Sequence, residues 1–251
     1  MNYPDIIVQA RMTSSRLPGK VMKKILNKPM LFYLIERLKR VKKKRKIIIA
    51  CTDKFKDDQI VSFCLKEKVL YFRGSERNVL ERYYKASEYF KSNSVVRITA
   101  DCPLIDEEII DEVIEVFLES KIKYDYVSNM INPLLPLGMS VEIFSKKALN
   151  LAFEKAKKSY ELEHVTPFFY NKNKSFNIKS VTYKKNLSHI RLTVDTIEDF
   201  ELVSLIYKNL YVTKKNFSLK DVLKFLKKRP DYLKINEKIR QKHFKEVSKN
   251  V

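Results

Sequence analysis

The sequence predicts an α/β protein whose mostly parallel mixed sheet is flanked by helices. In the first half of the 251 residues, short apolar runs typical of buried strands alternate with stretches of helical periodicity. Such alternation implies right-handed crossovers, which place successive strands parallel to one another. Hydrophobic residues make up 45% of the chain, which is enough for a large core.

Strands and helices are expected to alternate along this first half. The strands are predicted at residues 6–8, 46–51, 69–72, 94–99 and 124–128. The helices are predicted at residues 31–40, 57–67, 79–89 and 106–119. The last of these helices is strongly amphipathic, and its first turn is acidic, which favours the helix dipole. Asp57 is a possible N-cap of the second helix.

The second half changes character after a proline-rich loop at residues 132–138. Here strands are predicted at 141–144, 176–182 and 190–194, and helices at 146–157, 197–210 and 219–227. Because no repeat or low-complexity linker is visible, we expect one domain over residues 1–230 with a possible insertion around 130–190. Residues 231–251 are polar and basic and are expected to form a helix or a tail.

The formal net charge of +21 has two interpretations. One is a nucleic-acid partner, and the other is lysines spread over solvated faces. The second is favoured because lysines are spread over most of the predicted helices and aromatic residues do not alternate with arginines. We therefore expect no nucleic acid, although the positive field should attract an anionic small substrate.

The sequence indicates a cytoplasmic protein. No apolar stretch reaches the roughly 20 residues of a membrane span, and no secretory signal is visible at the N-terminus. The three cysteines, Cys51, Cys64 and Cys102, lack metal-ligand spacing and are odd in number. Reduced thiols are the favoured interpretation.

A polar loop follows the first predicted strand, at the sheet edge where open parallel sheets bind ligands. Small residues let backbone N–H groups approach an anion, and cations neutralise it. The loop has both kinds of residue, so it is a candidate phosphate site; the alternative is an ordinary basic loop. Its candidate residues are Arg11, Ser14, Ser15, Arg16, Gly19 and Lys20.

Two carboxylates and two cations are further candidates. Asp101 and Asp195 each follow a predicted strand, where a carboxylate can hold Mg²⁺ or simply cap a turn or helix. If both reach the same phosphates, they form a two-carboxylate metal site. Arg191 could bind an anion or form a salt bridge within its strand. His164 could contact a ligand, although a lone histidine is more often structural.

A series of motifs across roughly residues 6–210 resembles the CMP-sugar synthetases, or cytidylyltransferases. The similarity is to the branch of spore-coat polysaccharide and acylneuraminate cytidylyltransferases. The first motif, VQARMTSSRLPGK, departs from the family at Thr13–Ser15, where a glycine is common. The others are ACTD (50–53), FRGSERNVLERYY (72–84), VVRITADCPLID (95–106), DYVSN (125–129), GMSVEIFS (138–145), EHVTPF (163–168) and SHIRLTVDT (188–196).

The resemblance implies a Rossmann-like nucleotidyltransferase fold of the glycosyltransferase-A type. It implies Mg²⁺-dependent transfer of CMP from CTP to an acidic sugar or related acceptor, with release of pyrophosphate. The implied catalytic residues are Lys20, Arg16 and Asp101, and the implied metal ligands are Asp101 and Asp195. The implied nucleotide-binding residues are Ala10, Arg11, Ser14, Ser15, Arg16, Gly19, Lys20, Thr52, Arg73, Ser75, Arg97 and Asp101. The implied acceptor-binding residues are Asn129, Glu142, His164 and Arg191.

The resemblance also implies a homodimer through residues 130–190 and a polysaccharide-biosynthetic role. In the expected reaction an acceptor oxygen attacks the α-phosphorus of CTP, while Lys20 and Arg16 stabilise the leaving pyrophosphate. A glycosyltransferase on the same fold is one alternative. It is disfavoured because Asp101 is followed by Cys102 and Pro103, so a DxD-type metal motif is missing. A basic nucleic-acid-binding module is the other.

Overall fold

The computed structural model describes residues 2–119, 121–171 and 175–241. Within them, strands β1–β9 span Asp5–Gln9, Lys24–Ile25, Lys28–Pro29, Ile47–Thr52, Leu70–Gly74, Ser94–Thr99, Tyr126–Ser128, Glu142–Ser145 and Ile178–Ser180. Helices α1–α10 span Met30–Arg40, Asp58–Lys66, Val79–Tyr89, Glu107–Glu119, Lys146–Lys155, Ser159–His164, Pro167–Asn171, Ile197–Leu210, Leu219–Lys228 and Pro230–Leu233.

Seven of the described strands form one mixed sheet, which confirms the predicted α/β class. The strand order is β5-β4-β1-β6-β8-β7-β9. The first four of these strands are parallel, so their carboxyl ends share one edge of the sheet. Strand β8 runs antiparallel to β6 and β7, and β9 is parallel to β7. Strands β2 and β3 form a separate hairpin.

Hydrophobic side chains cover both faces of this sheet. One cluster joins it to α1, α2, α4, α8 and α9, and the other joins it to α3, α5, α6 and α7. Along β1, Ile6 and Val8 belong to the first cluster and Ile7 to the second, and all three are fully buried. Burial on both faces explains why the central strands appear as continuous apolar runs in the sequence.

The strand predicted at residues 190–194 is wrong. This segment makes only an isolated bridge, between Arg191 and Leu137. Individual backbone hydrogen bonds hold this segment, including one from the Val194 N–H to the Asp101 carbonyl at 2.8 Å. Leu192 and Val194 are fully buried. Burial without strand pairing therefore produced the alternating pattern that suggested a strand.

The other differences between the predicted and the observed elements concern the bounds of two elements and several short helices and strands. The strand predicted at 176–182 shrinks to β9, and the helix predicted from Asp57 begins at Asp58. The Asp57 side chain does not cap that helix; it accepts the N–H groups of Thr52 and Met12. Helices α6 and α7 and the β2–β3 hairpin are too short to show a period, and were not predicted. Of the predicted C-terminal helix or tail, residues 242–251 lie outside the described residues.

None of the helices in the described ranges combines the length and apolar character needed to span a membrane.

Gly138 lets the proline-rich loop lie directly against the 190–194 segment. Its φ is +106°, a region that residues with a side chain rarely adopt. A Cβ atom here would lie 2.8 Å from the carbonyl carbon of Leu192 and 2.8 Å from the nitrogen of Thr193. Because both are backbone atoms, no side-chain rotation could relieve the contact. Gly138 therefore fixes the path of the chain just before Asp195.

We expect Gly138→Ala to lower the free energy of unfolding by about 1–3 kcal/mol, because it adds backbone strain and a backbone clash. Urea unfolding measures this change. The matched control is Ser140→Ala, two residues further on, where the side-chain hydroxyl donates a hydrogen bond to the sulfur of Met130. An unchanged unfolding midpoint for Gly138→Ala would contradict the close packing of these segments.

Candidate active site

The loop after β1 forms a compact turn over the carboxyl edge of the sheet. The Met12 carbonyl accepts the N–H groups of Ser14 at 3.0 Å and Gly19 at 2.8 Å, which closes the loop. Gly19 has a φ of +69°, and a Cβ there would lie 3.3 Å from the Met12 methyl group. A cavity of about 590 Å³ lies between this loop and Lys56 and Gln59.

The other predicted residues of this loop lie on either side of the turn. Ala10 is buried where the loop leaves the sheet, and its N–H donates to the Ala50 carbonyl at 3.1 Å. Ser14 and Ser15 line the cavity. The loop therefore presents small and hydroxyl-bearing residues to an open space, as a phosphate site requires.

Lys20 follows Gly19 and lies buried at the centre of the site. Its Nζ donates to Asp101 Oδ2 at 3.1 Å, to Asp195 Oδ1 at 2.9 Å and to the Val194 carbonyl at 2.7 Å. An ammonium has three donors, so these contacts use all of them. The structure thus brings the two predicted carboxylates together on one predicted catalytic lysine.

Asp195 is surrounded by cations. Arg16 Nη2 lies 2.9 Å from Asp195 Oδ2, and Arg191 Nη2 lies 2.8 Å from the same oxygen. The side chain of Asp195 is 13% exposed, whereas that of Asp101 is 28% exposed. Asp101 is therefore the more accessible of the two carboxylates.

These contacts shift the ionisation of both partners. Burial alone would lower the pKa of Lys20, but Asp101 and Asp195 outweigh it and raise that pKa above its ordinary value. Burial alone would raise the pKa of Asp101, but Lys20, Thr99 and Cys102 together hold it below its ordinary value. Lys20 and Asp101 consequently both stay charged at neutral pH.

The two carboxylates offer the oxygen ligands that Mg²⁺ prefers. Residues 2–119, 121–171 and 175–241 contain no group of three or more His, Cys, Asp or Glu side chains that could hold a metal ion. Mg²⁺ usually takes one or two carboxylates and completes its shell with water and substrate phosphates. Asp101 and Asp195 therefore fit a metal shared with a phosphorylated substrate, and they do not form a closed structural site.

Glu76 and Asp57, which the sequence did not single out for this site, connect its walls. Thr13 donates a hydrogen bond to the Glu76 carboxylate, which joins the first loop to the loop after β5. Asp57 is 1% exposed and accepts the N–H groups of Met12 at 2.8 Å and Thr52 at 2.7 Å. Glu76 lies within the FRGSERN motif, and Asp57 lies four residues after the end of ACTD. Those motifs were the available signal.

The remaining predicted nucleotide residues of β4 and β5 lie at neighbouring strand ends. Arg73 pairs with Asp58 at 2.7 Å and donates to the Thr52 carbonyl at 3.2 Å. Ser75 accepts the Asn78 N–H at 3.0 Å and so stabilises the start of α3. These residues lie beside the first loop, and each also has a partner within the protein.

A second charged group lies where β6, β8 and α6 meet. Arg97 Nη1 lies 2.5 Å from Glu142 Oε2, and the Tyr126 hydroxyl donates to Glu142 Oε1 at 2.6 Å. His164 interacts electrostatically with this pair and with Arg11. Burial lowers the pKa of His164, and the two arginines lower it further against the nearby carboxylates. Its imidazole is therefore neutral at pH 7.

The other two predicted acceptor residues are engaged elsewhere. Asn129 Nδ2 donates to the Met139 carbonyl at 2.8 Å, and its Oδ1 accepts the Val141 N–H at 2.9 Å. Arg191 is 5% exposed and is paired with Asp195 and Asp199. The structure therefore places Arg191 with the cluster of Lys20, Arg16, Asp101 and Asp195, called the Lys20 group below. Asn129 lies within its own loop.

We expect the Lys20–Asp101 pair to stabilise the protein only between two pH limits. The contribution of Asp101 is present above the ordinary carboxyl pKa and is lost as the pH falls through its lowered value. The contribution of Lys20 is present below the ordinary lysine pKa and is lost as the pH rises through its raised value. Urea unfolding of the wild type and of Lys20→Met at a series of pH values, in metal-free buffers, measures the difference in their unfolding free energies.

The difference in unfolding free energy should shrink at both pH extremes. Lys24→Met, which removes an exposed lysine of β2, is the control for charge alone. A difference that stays constant with pH would contradict the coupling.

The chain matches known proteins over most of its length. Residues 6–239 match the family model for cytidylyltransferases. An uncharacterized protein of Methanocaldococcus jannaschii is 41% identical over 244 residues, which are 96% of this chain and 97% of that protein. The spore coat polysaccharide biosynthesis protein SpsF of Bacillus subtilis is 30% identical over 238 residues, which are 92% of this chain and 97% of SpsF.

The fold matches as well. A solved cytidylyltransferase from Leptospira borgpetersenii serovar Hardjo-bovis has a TM-score of 0.87 and 31% identity, and the match covers 95% of this chain and 98% of that one. The predicted nucleotidyltransferase fold and the resemblance noted in the motifs are thereby confirmed. On sequence and on fold alike, the chain belongs to the cytidylyltransferase family.

Proposed function

We propose that this enzyme transfers CMP from CTP to an acidic sugar or related acidic acceptor, with release of pyrophosphate. The observation that carries the proposal is the pairing of Lys20 and Arg16 with Asp101 and Asp195 at the carboxyl edge of the parallel strands. Cations for a triphosphate and oxygen ligands for its metal thus lie in one group. The similarity to SpsF supports a role in polysaccharide biosynthesis.

The triphosphate would lie against the loop after β1, where Lys20 and Arg16 would contribute positive charge. Arg16 is 27% exposed and can reach an incoming phosphate, whereas Lys20 is 10% exposed and lies deeper. Negative charge develops on the pyrophosphate as it leaves. Fixed cations stabilise that charge most strongly in the transition state, because they need no reorganisation there.

Asp101 and Asp195 would hold Mg²⁺ together with the phosphates. When bound, the ion would neutralise phosphate charge and polarise the α-phosphate. The accessible carboxylate of Asp101 suits direct ligation, and Asp195 is held in place by Arg191 at 2.8 Å. The same two carboxylates keep Lys20 charged and positioned before any ligand arrives.

The acceptor would bind near His164, Arg97 and Arg11. The guanidinium groups favour a carboxylate, and the neutral imidazole can hydrogen-bond a hydroxyl without adding charge. The acceptor oxygen forms a bond to the α-phosphorus as the bond from that phosphorus to the β-phosphate oxygen breaks. Positioning and charge neutralisation supply the acceleration, and no protein nucleophile is required.

A homodimer formed through residues 130–190 and a cytoplasmic location are compatible with this function, and both stay predictions. Analytical ultracentrifugation tests the oligomeric state. A sedimentation coefficient of a monomer at micromolar concentration would contradict the dimer.

We expect Lys20→Met and Asp101→Asn each to lower CTP-dependent pyrophosphate release by roughly 10²–10³-fold, because the first removes a cation that stabilises the phosphates and the second removes a carboxylate that would hold their metal ion. The assay tests each nucleoside triphosphate with Mg²⁺ against a panel of acidic sugars. Lys24→Met is the matched control, since Lys24 is exposed on the β2–β3 hairpin. Near-normal turnover by either active-site variant would contradict the role assigned to the residue that it replaces.

We expect His164→Ala to raise the KM for the acceptor by about tenfold and to leave the KM for CTP nearly unchanged, since roughly one hydrogen bond is lost. Steady-state kinetics with each substrate varied in turn measures both constants. His189→Ala removes an exposed histidine and is the control. A larger effect on CTP than on the acceptor would reverse the assignment.

A further inference from the structure

The C-terminal part of the described chain returns to the active site. Asn236, shortly after α10, is 3% exposed. Its Nδ2 donates to Asp199 Oδ1 at 2.8 Å and to the Arg191 carbonyl at 3.1 Å. Gln241 Oε1 accepts from Arg191 Nη1 at 2.5 Å. Two residues near the C-terminus thus contact Arg191, which in turn contacts Asp195.

Arg191 and Asp199 form a buried pair with almost every polar atom in use. Arg191 Nε donates to Asp199 Oδ1 at 2.8 Å, and its Nη2 donates to Asp199 Oδ2 at 3.0 Å. Asp199 is fully buried, so its oxygens need donors to offset the cost of burying a charge. Asn236 provides one of those donors. The Asp195 N–H provides another, at 2.9 Å from Asp199 Oδ2.

Asp195 is therefore held at two points by this pair. Asp199 binds its backbone N–H, and Arg191 binds its carboxylate. The same carboxylate contacts Lys20 at 2.9 Å and Arg16 at 2.9 Å. An unbroken series of hydrogen bonds and ion pairs connects Asn236 with the two cations of the triphosphate loop.

We propose that Asn236 is a positioning residue for CTP binding: it orients Arg191 and Asp199, which hold Asp195 against Lys20 and Arg16. The inference rests on the proposed function, because it concerns the binding of CTP. An amide suits the position, since it donates to Asp199 without adding charge. A carboxylate there would repel Asp199, and an ammonium would compete with Arg191 for it.

The alternative is that Asn236 only anchors the C-terminal segment. In that case its removal would lower stability without a specific effect on the nucleotide site. The two roles differ in one measurable respect. A positioning effect must pass through Asp195, so it should disappear when the Asp195 carboxylate is already absent.

The test is a double-mutant cycle on the affinity for CTP with Mg²⁺, measured by isothermal titration calorimetry on the full chain. We expect Asn236→Ala to raise the Kd by about tenfold, as is typical when an outer partner of a binding residue is removed. In an Asp195→Asn background, the same change should raise the Kd by less than about twofold. Asn209→Ala removes an exposed amide that donates to the Leu205 carbonyl within α8, and should leave the Kd unchanged.

All measurements are made well below the unfolding midpoint of each variant. If Asn236→Ala does not fold, Asn236→Ser replaces it in the cycle. An unchanged Kd for the Asn236 variant, or an equal loss in both backgrounds, would overturn the positioning role. A wild-type protein that binds no CTP would instead overturn the proposed function and this inference with it.

Discussion

The active site depends on the complete hydrogen bonding of one ammonium group. Lys20 Nζ binds Asp101, Asp195 and the Val194 carbonyl, which come from the end of β6 and from the segment before α8. A buried ammonium with fewer acceptors would be costly, so these segments must lie close together around it. The approach of the second segment depends in turn on Gly138, which leaves room for its backbone.

The sequence was sufficient for the fold class, and it singled out Lys20, Asp101 and Asp195, which the structure brings together. Central strands buried on both faces give continuous apolar runs, and such runs are visible without a structure. Motif residues at successive strand ends converge because parallel strands share a carboxyl edge. The segment 190–194 was misread because burial alone gives the same alternation as a paired strand. Asn236 was missed because its partners, Arg191 and Asp199, lie 45 and 37 residues away.

The charged side chains of the candidate site form two groups. The Lys20 group is a dense network in which every described cation faces a carboxylate, so it is fixed before a ligand arrives. The Arg97–Glu142 pair beside His164 is a smaller group on β6 and β8. The proposed reaction between two anionic substrates would need both: one region to neutralise a triphosphate, and another to admit a second negative charge. Arg191 contacts Asp195 and so lies with the first group, whereas the family resemblance implied a contact with the acceptor.

The pairing of Lys20 with Asp195 also sets an order on synthesis and folding. These residues are 175 positions apart, so the ribosome must complete most of the chain before the contact can form. Strands β1, β4, β5 and β6 all precede residue 100 and can associate earlier, whereas the contact between Lys20 and Asp195 can form only after residue 195 has been made. Until then Lys20 has no acidic partner from the C-terminal half. A nascent or truncated chain that ends before residue 195 would therefore lack the Lys20–Asp195 contact even where strands β1, β4, β5 and β6 had associated, so assembly of these strands would not by itself show that the contact had formed.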